Sequence, residues 1–200
     1  AGGKLKAGNA LDLKANQLAL SAQTSATNTN IQAQQFTLDE NGLIVSLNNT
    51  ALNASNADVW GQMYSSAANF NIGGTLNSAN KTLVSVLNLN TVNAKDLNLK
   101  GLWEAGNLTL TAVNSLQQAG AIYAQNNLAL QANAMSLTGA VQAGHKLNAN
   151  AVQQLTVDSQ AQLFSSDSIE LSADAIQLDG YAGAENSMTA IPQHRSVSGG

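Results

Sequence analysis

The chain has 200 residues, of which 44% are hydrophobic, 10% charged and 4% aromatic, and its formal net charge is −4. The acidic balance excludes the broad basic surface with which proteins follow nucleic acid, and no apolar run reaches the roughly 18 residues of a transmembrane helix. Cysteine is absent, which is unremarkable for a cytosolic protein; in an exported rod it would mean that no disulfide locks the chain before it crosses a membrane unfolded.

Residues 1–38 alternate between apolar and polar side chains, as half-buried strands do. Leu11 with Leu13 and Leu18 with Leu20 are the clearest pairs. No signal peptide opens the chain, and its first residues already resemble the later repeats. We therefore expect β-helix coils here, and we expect the chain to be an internal piece of a longer repetitive protein.

Residues 39–85 depart from this register, which predicts irregular coils or a loop insertion. The window contains Trp60, Tyr64 and Phe70 on a chain whose apolar residues are mostly aliphatic. Large aromatics on such a surface are candidate receptor anchors, and insertions in solenoids gather in loops that carry function. The alternative is that these rings plug the coil, which is the interpretation we favour for Trp103.

Residues 86–184 return to a degenerate repeat of about twenty residues, clearest from 106 to 182. The pair Leu108 and Leu110 recurs once in each repeat, although the spacing is not constant. Between the leucines lie polar residues, which places the leucines on one face of a strand. The predicted core ladder consists of Leu108, Leu110, Leu128, Leu130, Leu147, Ile169 and Leu171.

A fixed period of this length indicates stacked structural units. One unit holds three short strands and three turns, and it cannot bury its leucines alone. The repeat therefore predicts an all-β parallel β-helix of nine or ten coils, with a length of roughly 45 Å. Several glycines are expected at turn positions that need φ > 0; they are Gly8, Gly106, Gly120, Gly139 and Gly144. Residues 185–200 hold the only proline, Pro192, and are predicted to be a cap, a transition or a flexible tail.

Chemically reactive groups are sparse. Asp158 and Asp179 are about one repeat apart in the sequence and could stack on one face, where two like charges would repel without a cation. Solvated carboxylates at loops are the simpler interpretation. His145 follows a turn glycine, which is typical of an exposed corner, and no Ser-His-Asp set is evident. We expect no catalytic residue, no metal and no cofactor.

The run Gly106-Asn107-Leu108-Thr109-Leu110-Thr111-Ala112, followed by Leu116 and by Gly120-Ala121-Ile122-Tyr123-Ala124, resembles the filamentous-haemagglutinin repeat. The resemblance covers about residues 1–38 and 86–184. It implies a right-handed parallel β-helix displayed on Gram-negative cells. Such exoproteins leave through an outer-membrane partner by two-partner secretion, and they include filamentous adhesins and the CdiA-type sticks of contact-dependent growth inhibition. The Asn-Pro-Asn motif of the family's secretion domain and its Val-Glu-Asn-Asn-type toxin junction are both missing.

The resemblance implies a non-enzymatic, monomeric cell-surface stalk and receptor-recognition segment, used in contact-dependent growth inhibition or in adhesion as a virulence factor. Its partner would be a protein or glycan receptor on an outer membrane or a host cell. Adhesins and interbacterial sticks use the same repeat, so both remain open. The alternative is a glycan-active β-helix enzyme or a phage-type tail-fibre segment, the latter of which would trimerise.

Overall fold

The computed structural model of the chain describes residues 3–192, and all of its regular elements are β-strands. In chain order they are β1 (Lys4–Lys6), β2 (Ala10–Leu20), β3 (Gln23–Leu38), β4 (Leu43–Val59), β5 (Gln62–Ile72), β6 (Thr75–Ser78), β7 (Leu83–Leu99), β8 (Leu102–Gln118), β9 (Ala121–Ala124), β10 (Leu128–Leu137), β11 (Ala140–Ala143), β12 (Lys146–Val157), β13 (Gln162–Ser165), β14 (Ser168–Ala173), β15 (Ala175–Leu178), β16 (Tyr181–Ala184) and β17 (Ser187–Pro192).

Each strand pairs in parallel with the equivalent segment of the next coil. Lys4 pairs with Gln23 at the start of the stack, and Ala140 pairs with Gln162 further along it, in a slightly longer coil. About ten coils stack in this way. The predicted all-β parallel β-helix, with its coil length close to the sequence repeat, is therefore confirmed.

Three strand ladders, which we call the first, second and third ladder, form the sides of the stack. The first runs from β1 to β16, the second from residues 10–15 to β17, and the third from residues 17–20 to β15. The long strands β3, β4, β7 and β8 continue around corners and contribute to more than one ladder. We call the turn between the first and second ladders the first corner. The third corner leads from the third ladder to the next coil.

Residues 39–85 continue the stack without a break. Strand β4 pairs with β3 and β5, and β5 pairs with β7, all in parallel. Of the two expectations for this window, the structure shows irregular coils rather than a loop insertion, because buried and exposed positions still alternate along the strands even where the inward residue is small or hydroxylated. The irregularity is confined to the corners, where the register shifts between Ser46 and Asn49 and between Ser65 and Ala67.

The core is a column of side chains inside the three ladders. In the second ladder Leu108, Leu128, Leu147 and Ile169 stack on consecutive coils, and each is at most 1% exposed. Each of these side chains lies in register with its partner in the next coil, so burial is shared along the rod. The remaining members of the predicted core ladder, which are Leu110, Leu130 and Leu171, are also buried.

Strand β17 adds one more rung to the second ladder within the predicted tail. It pairs with β14, from Ser168 opposite Ser187 to Ala173 opposite Pro192. Residues 185–192 thus continue the coil path, and the rest of that predicted segment lies outside the described residues.

The turn glycines serve close stacking rather than left-handed backbone. Within residues 3–192 only Gly101 has a positive φ, at 74°. The prediction of φ > 0 is therefore wrong for the five glycines that it concerns. A Cβ on Gly139 would overlap the carbonyl oxygen of Gly120 in the coil before it, and a Cβ on Gly120 would overlap that of Gly101. Gly8 has nothing nearby.

Candidate functional site

One coil has a shorter first corner than the coils on either side of it, and this produces a recess on the surface. At the first corner Ser66 alone separates the paired positions, whereas Leu47 and Asn48 stand in the preceding coil and Leu87 and Asn88 in the following one. The longer corners project beyond Ser66 on both sides. The resulting groove, which we call the corner recess, has a volume of about 360 Å³.

The floor of the corner recess is built by outward side chains of the first ladder. Tyr64, Ser85, Glu104 and Tyr123 are successive partners along that ladder. Coils are about 4.8 Å apart, so the two tyrosines are separated by roughly 14 Å of backbone. Ser85 is short and Glu104 bends to it, which leaves a depression between two aromatic rings.

Apolar side chains form the wall at the first corner. Leu47 is 72% exposed and Leu87 is 64% exposed, although both are aliphatic. Gly106 lies beneath the second of these, where a Cβ would be 2.6 Å from the carbonyl oxygens of Leu87 and Asn88. The absence of a side chain at Gly106 therefore allows the projecting corner to sit directly on the next coil.

Glu104 is the charged group of the corner recess. Its Oε1 accepts a hydrogen bond from Ser85 Oγ at 2.6 Å. The lining residues include no lysine, arginine or histidine. Within residues 3–192 the single ion pair is Lys81 Nζ with Glu40 Oε2, at 3.6 Å. The carboxylate thus has acceptor capacity left for a partner from outside.

Trp60 lies at the third corner that leads into this coil. This corner holds Trp60 and Gly61, while the neighbouring coils make longer turns closed by Gly42 N to Asp39 O at 2.8 Å and Thr82 N to Ala79 O at 3.0 Å. The Glu40–Lys81 ion pair joins those two turns and so crosses the short corner. The indole is 39% exposed. Trp60 therefore reaches the surface on a different edge of the rod from the corner recess.

The three aromatic candidates for receptor contact have different positions. Tyr64 is 37% exposed in the corner recess, and its hydroxyl donates to Gln62 Oε1 at 3.3 Å. Phe70 is fully buried and contacts Trp103 edge to face, with ring centroids 6.2 Å apart. Phe70 is an inward residue of the second ladder, because its strand alternates outward Asn69 and Asn71 around it. Its assignment as a receptor anchor is therefore wrong.

Asp158 and Asp179, the acidic pair considered for a cation, accept hydrogen bonds within their own turns. Asp158 Oδ1 accepts from Gln160 N at 3.1 Å, and Asp179 Oδ2 accepts from Gln177 Nε2 at 2.6 Å. Within residues 3–192 no group of three His, Cys, Asp or Glu side chains is placed to hold a metal ion. That part of the chain also has no helix of the length and apolarity needed to cross a membrane.

Sequence reasoning missed four residues of the corner recess, which are Leu47, Leu87, Glu104 and Tyr123. The two leucines do carry a signal. Each is an apolar residue in a long first corner, and the coil between them has a shorter first corner. Glu104 and Tyr123 lie at outward repeat positions, and only alignment of successive coils shows that they share a face with Tyr64.

Comparisons of the chain with known protein families, with curated proteins and with solved structures find no match.

Proposed function

We propose that this chain is a non-enzymatic stalk and receptor-recognition segment of a large secreted exoprotein. In this proposal the stacked coils provide reach and stiffness, while the exposed corners of the coils between residues 39 and 105 contact a receptor. The observation that carries the proposal is the unbroken parallel pairing from β1 to β17, which supports a rod of roughly 45 Å.

The outer surface supports a role as a rod exposed to water. Amide side chains bond from coil to coil, as in Asn93 Nδ2 to Asn71 Oδ1 at 3.2 Å and Asn71 Nδ2 to Asn53 Oδ1 at 3.3 Å. A second series joins Asn98, Asn77 and Asp58 at 2.8 Å and 2.9 Å. These ladders satisfy polar groups with little charge, and side-chain ladders of this kind strengthen stacked strands.

The setting of the proposal comes from the resemblance of the repeat to filamentous-haemagglutinin exoproteins. In this proposal the chain lies at the bacterial surface, is exported through an outer-membrane secretion partner and is used in contact-dependent growth inhibition or in adhesion. The receptor would be a protein or glycan on another bacterium or on a host cell.

Cell binding by the purified chain tests this proposal. Fluorescently labelled protein is titrated onto intact Gram-negative bacteria and onto epithelial cells, beside the double variant Trp60→Ala with Tyr64→Ala. Both side chains lie outside the buried core but are partly covered, so thermal melts of the double variant check that the fold is kept. We expect saturable binding to one cell type and a loss of at least tenfold in the double variant, as for aromatic anchors at an interface.

The matched control is Tyr181→Ala, which removes a tyrosine that is 62% exposed near the other end of the rod. It should bind as the unchanged chain does. Binding to bacteria supports the interbacterial role, and binding to epithelial cells alone supports adhesion. Absence of saturable binding to either cell type would overturn the recognition role.

A further inference from the structure

The corner recess combines an unpaired carboxylate, two aromatic rings and two exposed aliphatic side chains. We propose that it binds an extended polypeptide segment of the receptor, with a lysine or arginine side chain on Glu104 and apolar neighbours against Leu47 and Leu87. This inference rests on the proposed recognition function and specifies the chemistry of the partner.

The charge of the corner recess favours a positively charged group on the ligand. Glu104 is partly buried, its Oε1 is held by Ser85 Oγ at 2.6 Å, and no lining residue carries a positive charge. A carboxylate fixed in this way offers its other oxygen to a donor, and a charge-assisted hydrogen bond is stronger than a neutral one. Tyr64 and Tyr123 on either side present ring surfaces that attract cations within about 6 Å.

The dimensions fit an extended peptide that lies along the rod. Alternate residues of an extended chain are roughly 6.8 Å apart, so residues i, i+2 and i+4 span about 13.6 Å. The two tyrosines are separated by roughly 14 Å. A basic residue at i+2 would therefore lie over Ser85 and Glu104, with i and i+4 near the two ends.

The exposed leucines favour a peptide over a sugar. Leu47 and Leu87 are exposed aliphatic side chains, and covering them with an apolar group is favourable because it removes apolar surface from water. A saccharide covers aromatic rings but presents hydroxyl groups to aliphatic side chains. A peptide with apolar residues on both sides of the cation meets the rings, the leucines and the carboxylate together.

The test is a titration of the whole chain with defined peptides, followed by NMR of ¹³C-labelled tyrosine rings. The probes are acetyl-Leu-Ser-Arg-Ser-Leu-amide and the same peptide with citrulline, which is neutral and nearly isosteric, in place of arginine. The chain has three tyrosines. We expect Tyr64 and Tyr123 to shift saturably with the arginine peptide and Tyr181 to stay unchanged. Tyr181→Phe assigns the third signal.

The charge contribution is measured with Glu104→Gln, for which we expect roughly tenfold weaker binding, as for the loss of one charged hydrogen bond. Glu170→Gln, which neutralises an exposed carboxylate on the second ladder, should bind normally. Raising the salt concentration should weaken the arginine peptide and leave the citrulline peptide unchanged. Thermal melts of both variants check that the fold is kept.

Equal affinity for the two peptides, or shifts of all three tyrosines alike, would overturn the inference. So would a response of Tyr64 and Tyr123 to N-acetylglucosamine without a response to the arginine peptide. This titration uses no cells, so its result is independent of the cell-binding test of the proposed function. If the chain binds cells but not the peptides, the stalk proposal stands and this inference is refuted.

Discussion

The coils between residues 39 and 105 and those between 106 and 184 share one backbone path but differ in what fills and covers it. The inward position of the second ladder that holds Leu108, Leu128, Leu147 and Ile169 in the later coils holds Thr50, Ala68 and Asn90 in the earlier ones. The later coils repeat an aliphatic contact, and the earlier ones replace it with polar or small groups.

Hydrogen bonds between hydroxyl groups replace part of the aliphatic packing inside the earlier coils. Ser46 Oγ donates to Thr29 Oγ1 at 2.7 Å, and Thr50 Oγ1 donates to Ser46 Oγ at 2.8 Å. These hydroxyls are buried beside the first corner, whose length differs from coil to coil. The comparison teaches that a repeated leucine gives a uniform rod, whereas relaxation of that repeat accompanies corners of unequal length and hence surface features.

Trp103 should show the largest energetic effect, because it packs where the two regions meet. It is fully buried, contacts Phe70 edge to face, and donates Nε1–H to Ser78 Oγ at 3.2 Å. Trp103→Ala leaves a large cavity, so we expect the free energy of unfolding to fall by about 3–5 kcal/mol. Urea titration followed by circular dichroism measures this. Trp60→Ala is the control. An equal loss of unfolding free energy in that variant would show that the difference in exposure between the two indoles does not determine their contribution to stability.

Glycine stacking gives the next largest expected effect, and it concerns the corners of the regular coils. In Gly139→Ala the new methyl group meets the backbone carbonyl of Gly120, which cannot move without its whole coil. Overpacking of this kind predicts a loss of about 2–3 kcal/mol in the free energy of unfolding. Gly8→Ala has open space and should change stability little. Similar melting temperatures for the two variants would contradict the stacking explanation.

The repeat predicted the fold because a leucine pair that returns once per coil makes sense only if coils stack. Leu108 and Leu128 are partners in the structure as that spacing requires. The same reasoning failed in the earlier coils, where inward positions hold Ser46, Thr50 and Asn90 and the apolar signal is lost. Backbone pairing with well-formed neighbours on both sides keeps these coils in place, and a single-sequence pattern does not register that contribution.

The candidate site could be predicted only in part. Tyr64 and Trp60 are identifiable as candidate anchors from the sequence, and both reach the surface. Phe70 is misassigned because the repeat register is lost in this part of the sequence. The alternation within a single coil then gives no indication of which face of the strand is inward. The partners Leu87, Glu104 and Tyr123 come together only through register between coils, which depends on small differences in corner length.

Asn90 offers the finest test of the comparison between the two regions. It is fully buried, and neither its Nδ2 nor its Oδ1 has a hydrogen-bond partner among the described residues. Its partner in the next coil is Leu108. Asn90→Leu keeps a similar shape, removes two unpaired polar atoms and extends the leucine column by one coil. We therefore expect the free energy of unfolding to rise by about 1–2 kcal/mol.

The matched variant is Asn88→Leu, which places the same side chain nearby on the exposed first corner. A surface change of this kind should stay within about 0.5 kcal/mol of the unchanged chain. Urea midpoints at constant slope measure both variants. Destabilisation by Asn90→Leu would mean that the earlier coils need this amide, so that the polar interior positions are part of how their corners are held, whereas stabilisation means that one leucine is enough to make an earlier coil resemble a later one.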